Sequence, residues 1–251
     1  MARVYAVNGR RVPSVTTILG KFKDPTPLMY WAWNTAYTVL KEVDGKDPNE
    51  IQGWIARTRP FDRADYKNAS EKATSVGTAV HGIIEKWIGG DTGILSWKPN
   101  QYVTECGIPL SHAQNVANSL KNFQAWVTTH NLKIVESEIA LTHPEYAFGG
   151  TIDAIATVKE PGSPMETILL DWKTSKAIYP DYLVQLAAYR LLWNHHNPKR
   201  TVRTGHIIRI DKESATIADH MFQDFEAAED LFLLLREAYE LIGKVSKQAG
   251  V

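Results

Sequence analysis

The sequence predicts a mixed α/β chain in which a helical N-terminal half packs around a compact mixed sheet. Three observations predict it. Up to about residue 130 the apolar positions recur at helical spacing. From 133 to 173 the texture changes to strand-length runs rich in Ile, Val, Leu and Thr. Helical spacing then returns over 180–196 and again near the end of the chain, so helices flank the sheet.

Taken in order, VYAVNGRRVPSV reads as a short hairpin turning at Asn8-Gly9. Ser14 is placed to cap a helix that runs through Leu19 and stops at Gly20. Residues 27–43 and 47–57 read as helices split by a turn at Asp44-Gly45. A longer helix spans Asp65 to about Ile88, and Gly89-Gly90 ends it. Residues 91–110 carry Gly, Pro and Asn without periodicity and read as an extended loop. A helix capped by Ser111 follows, then strands at 133–141, 146–158 and 166–173. Pro180 opens a helix over 180–196. A second hairpin turns near Asp211 to Ser214, and a long amphipathic helix covers 222–247. There are no internal repeats and no low-complexity linker, so the expected organisation is one domain over 1–251. Within it, 1–75 is a helical part, 76–221 the core and 222–251 a C-terminal helix.

Composition narrows the classes. The 251 residues are 44% hydrophobic and 22% charged, which suits one large globular domain. Lys plus Arg and Asp plus Glu both number 28. That balance excludes a binder working by bulk positive charge while leaving local basic patches open. Cys106 is the one cysteine, too few for a disulfide, a cysteine zinc cage or a four-cysteine iron–sulfur site. It reads as a buried filler in a reducing compartment. No apolar run approaches the ~20 residues that span a bilayer. MARVYAVNGRRVPSV lacks a signal peptide's apolar core. The expectation is a soluble cytoplasmic protein with no membrane partner, from a bacterium or a phage-infected cell.

ILLDWKTSKAIYPDYLVQLAAY, residues 168–189, carries the chemistry. Alternation puts Asp171 and Lys173 on one face of a strand and Leu170 and Trp172 on the other. The preceding strand, GGTIDAIATV, has its own acid, Asp153, and a hairpin through KEPGSPM sets it beside Asp171 and Lys173. Two carboxylates at close range repel unless a cation lies between them. Oxygen ligands without cysteine suit Mg²⁺ or Mn²⁺. The lysine then fits phosphodiester cleavage: it can position or deprotonate water, or stabilise a charged transition state. The plain alternative is a surface Asp-x-Lys pair. In GTAVHGIIEKW, His81 and Glu85 share a helix face, and Gly77 lets another segment approach closely. His81 is a candidate metal ligand, and Glu85 a ligand or an orienting group; a solvated polar face is the alternative.

GTAVH, GGTIDAI, LLDWKTS and QLAAY, in that order, resemble the RecB-like exonuclease branch of the PD-(D/E)XK nucleases. VPSVTTIL and DWKTS are also similar to the mitochondrial genome maintenance exonuclease group and its phage-encoded relatives. The resemblance covers roughly residues 12–196 and implies a restriction-endonuclease-like core with a central mixed sheet. It implies His81, Asp153 and Asp171 as metal ligands, with the Trp172 carbonyl a candidate fourth. Lys173 becomes the catalytic lysine, with Gln185 and Tyr189 lining the site. Glu138, in VESEIAL, and Glu85 match less specific acidic positions. The four cysteines of iron–sulfur relatives are absent.

The resemblance further implies a DNA exonuclease acting at single-stranded or free ends, in recombination, repair or replication. A helicase or a single-strand-binding or annealing protein would be its partner. A structure-specific or nicking endonuclease on the same core is the alternative enzyme. A non-catalytic DNA-binding or assembly protein is the alternative of another class. Lys176, with Thr174 and Ser175 before it, is placed on a DNA phosphate. Trp31 and Trp33 are candidates for base stacking, with core packing the alternative. Lys21, Lys23, Arg57, Arg59, Arg63 and Lys67 form a loose basic series, open equally to phosphate contacts and to a solvated face. His112, His130, His195, His196, His206 and His220 are read as ordinary.

Overall fold

The computed structural model describes residues 3–26, 29–30, 33–34, 46–47, 49–53, 63–159, 165–211 and 214–250, with the backbone alone over 63–75. The helices expected at 27–43 and 47–57 lie largely outside the described residues, and Trp31, Arg57 and Arg59 lie wholly outside them. Two compact units are distinguished: residues 1–22 with 77–251, and residues 23–76. Everything below concerns the first.

It opens with the hairpin β1 (Tyr5–Val7) and β2 (Arg10–Val12), paired Tyr5 to Val12. Both turn residues take positive φ, 49° at Asn8 and 74° at Gly9, as a two-residue hairpin turn requires. Helix α1 (Val15–Lys21) follows, with Ser14 Oγ accepting from Thr17 N–H at 3.0 Å. Gly20 does not stop it. A glycine ends a helix when it adopts a left-handed conformation, and Gly20 does not; the chain leaves the helix at Phe22.

Helix α2 (Arg63–Ile88) ends at Gly89-Gly90, Gly90 taking φ 98°. The expected loop at 91–110 is instead a 3₁₀ turn (Thr92–Ser96) and helix α3 (Pro99–Cys106). Its signals are local: Pro99 at the first helical position and Gly107 closing it at φ 65°. Gln101 Oε1 also accepts from Lys98 N–H at 2.8 Å. Tyr102 is buried and donates its hydroxyl to Ile94 O at 2.8 Å. Cys106 is half-buried rather than core. Helix α4 (Leu110–Thr129) begins at Pro109, so Ser111 lies inside its first turn and caps nothing.

Five strands make the central sheet: β3 (Leu132–His143), β4 (Phe148–Val158), β5 (Glu166–Lys173), β6 (Thr204–Ile210) and β7 (Ile217–Phe222). They lie in chain order. Only β5 and β6 pair parallel, joined through helix α5 (Pro180–His196). A parallel neighbour needs such a crossover, whereas the antiparallel pairs close by turns. Helix α6 (Glu226–Ala249) completes the unit. No helix among the described residues is long and apolar enough to cross a membrane.

Strand β5 is buried from Ile168 to Trp172 without a break, as a central strand covered on both faces must be. On one side Leu169 joins a core with Leu186, Ala187, Leu192 and Trp193 of α5 and Phe232 of α6. On the other, Trp172 packs edge-on to Phe123 of α4, ring centres 5.5 Å apart. The sheet is therefore sandwiched, and adjacent β5 residues look into different layers.

The N-terminal hairpin is tied to β4. Gly149 N–H donates to Pro13 O at 3.0 Å, and Tyr5 and Thr151 hydroxyls are bonded at 2.7 Å. A methyl on Gly149 would sit 2.4 Å from Tyr5 Cγ. Gly149→Ala is therefore expected to cost about 1–3 kcal/mol in urea unfolding. In a Tyr5→Ala background the same change should cost much less. An equal cost in both backgrounds would show that Tyr5 is not the obstacle.

Candidate active site

The register between β4 and β5 builds the site. Ala154 pairs with Leu170, so the next opposed positions, where the pairing stops, are Asp153 and Asp171. Trp172 N–H donates to Asp153 Oδ2 at 3.0 Å, and Lys173 Nζ lies 2.6 Å from Asp171 Oδ2. Asp171 is only 1% exposed, and its Oδ1 has no hydrogen-bond partner. Burial lifts the Asp153 carboxyl well above the usual range, and the Asp171 charge adds to it. The Lys173 ammonium and the Trp172 amide pull the other way without prevailing. For Lys173, burial favours the neutral amine, but the charges of Asp171 and Asp153 outweigh it and its pKa rises. Lys173 thus stays protonated at neutral pH.

His81, on α2, comes from the Trp172 side of β5. Its ring centre is 6.0 Å from that of Trp172, and its ring hydrogen-bonds the Trp172 backbone. Burial foremost, then the Lys173 charge, pushes its pKa down to about 4. The ring is therefore neutral, the form in which histidine ligates metals. Gly77, one turn earlier, matters sterically: a methyl there would lie 2.6 Å from Thr174 Oγ1.

Glu85 and Glu138 meet each other. Burial and a hydrogen bond to Glu138 push the Glu85 carboxyl up to about 7. Glu138 in turn accepts from Arg3 Nη2 at 2.6 Å. It stands between Ser137 and Ile139, which pair with Ala154 and Ile152, so it faces Asp153 across the β3–β4 ladder. Its φ of 53° is a left-handed conformation, unusual for a non-glycine residue inside a strand.

Helix α5 supplies the third side. Gln185 Nε2 donates to Tyr189 Oη at 2.8 Å. Burial, and after it the charges of Asp171 and Asp153, raise the Tyr189 pKa well above normal, so the phenol keeps its proton. Two contributors were not singled out from the sequence. The Tyr182 ring lies 5.3 Å from Lys173 Nζ, a cation–π contact. Residues 182, 185 and 189 are three and four apart, a helical face legible in YLVQLAAY. Arg209 pairs in register with Lys173, and its Nη1 lies 3.5 Å from the Ser175 and Lys176 carbonyls. Only the sheet topology brings it there.

Of the remaining expected residues, Ser175 donates its hydroxyl to Ala177 O at 2.7 Å, while Lys176 is exposed. Trp33 is 69% exposed. His206 is not solitary: its Nδ1 lies 2.8 Å from Asp219 Oδ1 across β6 and β7. His195 packs on His143, ring centres 4.3 Å apart, and His196 Nε2 bonds Thr142 O at 2.7 Å.

Among the described residues no three His, Cys, Asp or Glu side chains converge closely enough to form a metal cluster. Asp171 is engaged by Lys173, Asp153 by the Trp172 amide, and His81 approaches from the other face. Even so, a donor set of two carboxylates and a neutral imidazole, with Asp171 Oδ1 buried and unpartnered, suits a hard divalent cation.

The model of the PD-(D/E)XK nuclease superfamily matches residues 55–248. A comparison with curated proteins finds no match. Among solved structures, SSO0001 is 18% identical with a TM-score of 0.32, over 56% of this chain and 64% of that one. This chain thus spans just under two thirds of SSO0001. The alkaline exonuclease LHK-Exo of Laribacter hongkongensis is 13% identical with a TM-score of 0.33, over 52% of this chain and 69% of that one.

Because the folded pKa of Glu85 lies above its ordinary value, the folded state holds more protons than the unfolded one between about pH 4.5 and 7. Stability from this source is therefore present at low pH and lost as pH rises through that window. Glu85→Gln removes the titration. With chelator present, the variant should match the parent near pH 4 and melt at a higher temperature at pH 8. A difference in melting temperature that stays flat across this range would contradict the Glu85–Glu138 contact.

Proposed function

The chain belongs to the PD-(D/E)XK nuclease superfamily, and from this premise we propose that it is a divalent-metal-dependent DNA exonuclease of the RecB-like branch. It acts as one nuclease domain at single-stranded ends, in recombination, repair or replication. The observation that carries this reading is the meeting of Asp153, Asp171 and Lys173 where β4 and β5 stop pairing.

Asp153, Asp171, His81 and the Trp172 carbonyl would hold the cation, Mg²⁺ or Mn²⁺, with Glu85 and Glu138 adjoining. A bound cation supplies positive charge to a phosphate whose own negative charge grows during hydrolysis. The protein's groups do the rest. Lys173, kept protonated by its carboxylate neighbours, orients water or donates to a phosphate oxygen; it does not abstract a proton in this state. Tyr182 holds its ammonium from below. Gln185 and Tyr189, bonded to each other, form a neutral wall of hydrogen-bonding groups against the acid pair. Lys176 and Arg209, with Thr174 and Ser175, line the exit of β5, where an incoming phosphate backbone would meet positive charge.

The test is degradation of end-labelled single-stranded DNA with Mn²⁺ or Mg²⁺. Linear strands should disappear and covalently closed circles survive, and chelator should stop the reaction. Cut circles would instead favour the endonuclease. Lys173→Ala should lower the rate by about 100-fold or more while unfolding remains cooperative. Undiminished activity in that variant would remove Lys173 from the chemistry. Tyr182→Leu should cost the roughly 0.5–2 kcal/mol of a cation–π contact, a loss of several-fold in kcat, and Tyr182→Phe should restore most of it.

A further inference from the structure

Helix α6 buries Ala228 and Phe232 in the core yet leaves Leu231, Leu234, Leu241 and Val245 exposed. At 3.6 residues per turn these four fall, with Ala238, on one stripe about 80° wide that continues for some four turns. Single exposed leucines are ordinary on a protein surface; an aligned series along a helix is not. Beside the stripe a groove of about 640 Å³ opens between α6 and the β3–β4 turn, floored by Tyr146, Leu233 and Leu234.

The rim of this groove is acidic. Glu145, Asp230, Glu237 and Glu240 line it against one cation, Arg236. Arg236 is already committed, donating to Ala147 O at 3.1 Å and to Glu240 at 3.0 Å. Lys244 also pairs with Glu240, at 2.8 Å. Among the described residues Glu145, Asp230 and Glu237 have no ion-pair partner, so the groove keeps net negative charge. That charge sorts the occupants. Nucleic acid and anionic lipid are repelled, and a second copy of this chain would bring like carboxylates together. An apolar floor with an acidic rim complements a helix carrying an apolar stripe flanked by Lys or Arg.

We propose that the α6 groove is a docking site for a basic amphipathic helix of a partner protein. The site is made of different residues from Asp153, Asp171 and Lys173, and it stands or falls independently of the nuclease reading.

The probe is a labelled synthetic Leu/Lys amphipathic peptide of roughly five helical turns. A peptide of the same composition scrambled to lose its stripe, and a Leu/Glu counterpart, are the controls. Anisotropy at about 0.15 M salt should give the Leu/Lys peptide at least roughly tenfold tighter binding than either control. Leu234→Asp with Leu241→Asp should abolish the difference while leaving the melting temperature unchanged, since both side chains are exposed. Glu145→Gln with Glu237→Gln should weaken binding several-fold and flatten its salt dependence. Equal binding of the scrambled peptide, or binding indifferent to the aspartate pair, overturns the proposal. So does sedimentation showing a dimer that the aspartate pair dissolves, because the occupant is then a second copy.

Discussion

Two carboxylates stand opposite each other where β4 and β5 part, with one ammonium for compensation. Left in an apolar sandwich without it, a pair of like charges would take up protons or push the strands apart. The arrangement therefore depends on register. A slip of one residue between β4 and β5 would turn Asp171 into the layer that holds Trp172 and bury the indole against the acid pair. What prevents the slip is the uninterrupted burial of Ile168 to Trp172 on both sides of the sheet. Apolar packing is the force that holds the charges in place.

The same strand divides labour between its faces. Toward α5 lie Asp171, Lys173, the Tyr182 ring and the Gln185–Tyr189 pair. Toward α2 and α4 lies Trp172, with Phe123 and His81 against it. Because the right-handed crossover that makes β5 and β6 parallel must cover the sheet, α5 brings its polar face to the strand end without a separate device. The second layer contributes an imidazole held neutral by burial, a partner quite unlike the charged pair it faces.

Much of this was legible in the residues, and for physical reasons. Strand periodicity and a two-strand hairpin place Asp153 next to Asp171, and alternation places Lys173 on the same face. Pro180 and the 180–196 pattern mark α5 to the residue. The errors came where local punctuation was weighed wrongly. Gly20 was taken as a stop although nothing forces it into positive φ, and Ser111 as a cap although Pro109 already begins the helix. The 91–110 stretch was dismissed for lack of periodicity, although α3 is too short to show any and is defined by Pro99 and Gly107 instead. Arg3, Arg209 and the contact of Glu85 with Glu138 were out of reach. They arise from segments far apart in the chain, and no local pattern encodes their meeting.

The tie between the first hairpin and β4 also bears on how the chain assembles. Tyr5 wedges over Gly149 and bonds Thr151, partners synthesised roughly 140 residues later. At about 5–20 residues per second, the hairpin waits on the order of ten seconds beyond the ribosome before its seat exists. A two-stranded hairpin is marginal alone, so during that interval it contributes little structure of its own. The edge of the site nearest Arg3 is therefore completed late in synthesis. Substitutions at Tyr5 or Gly149 should consequently act on the last docking event more than on the formation of the sheet.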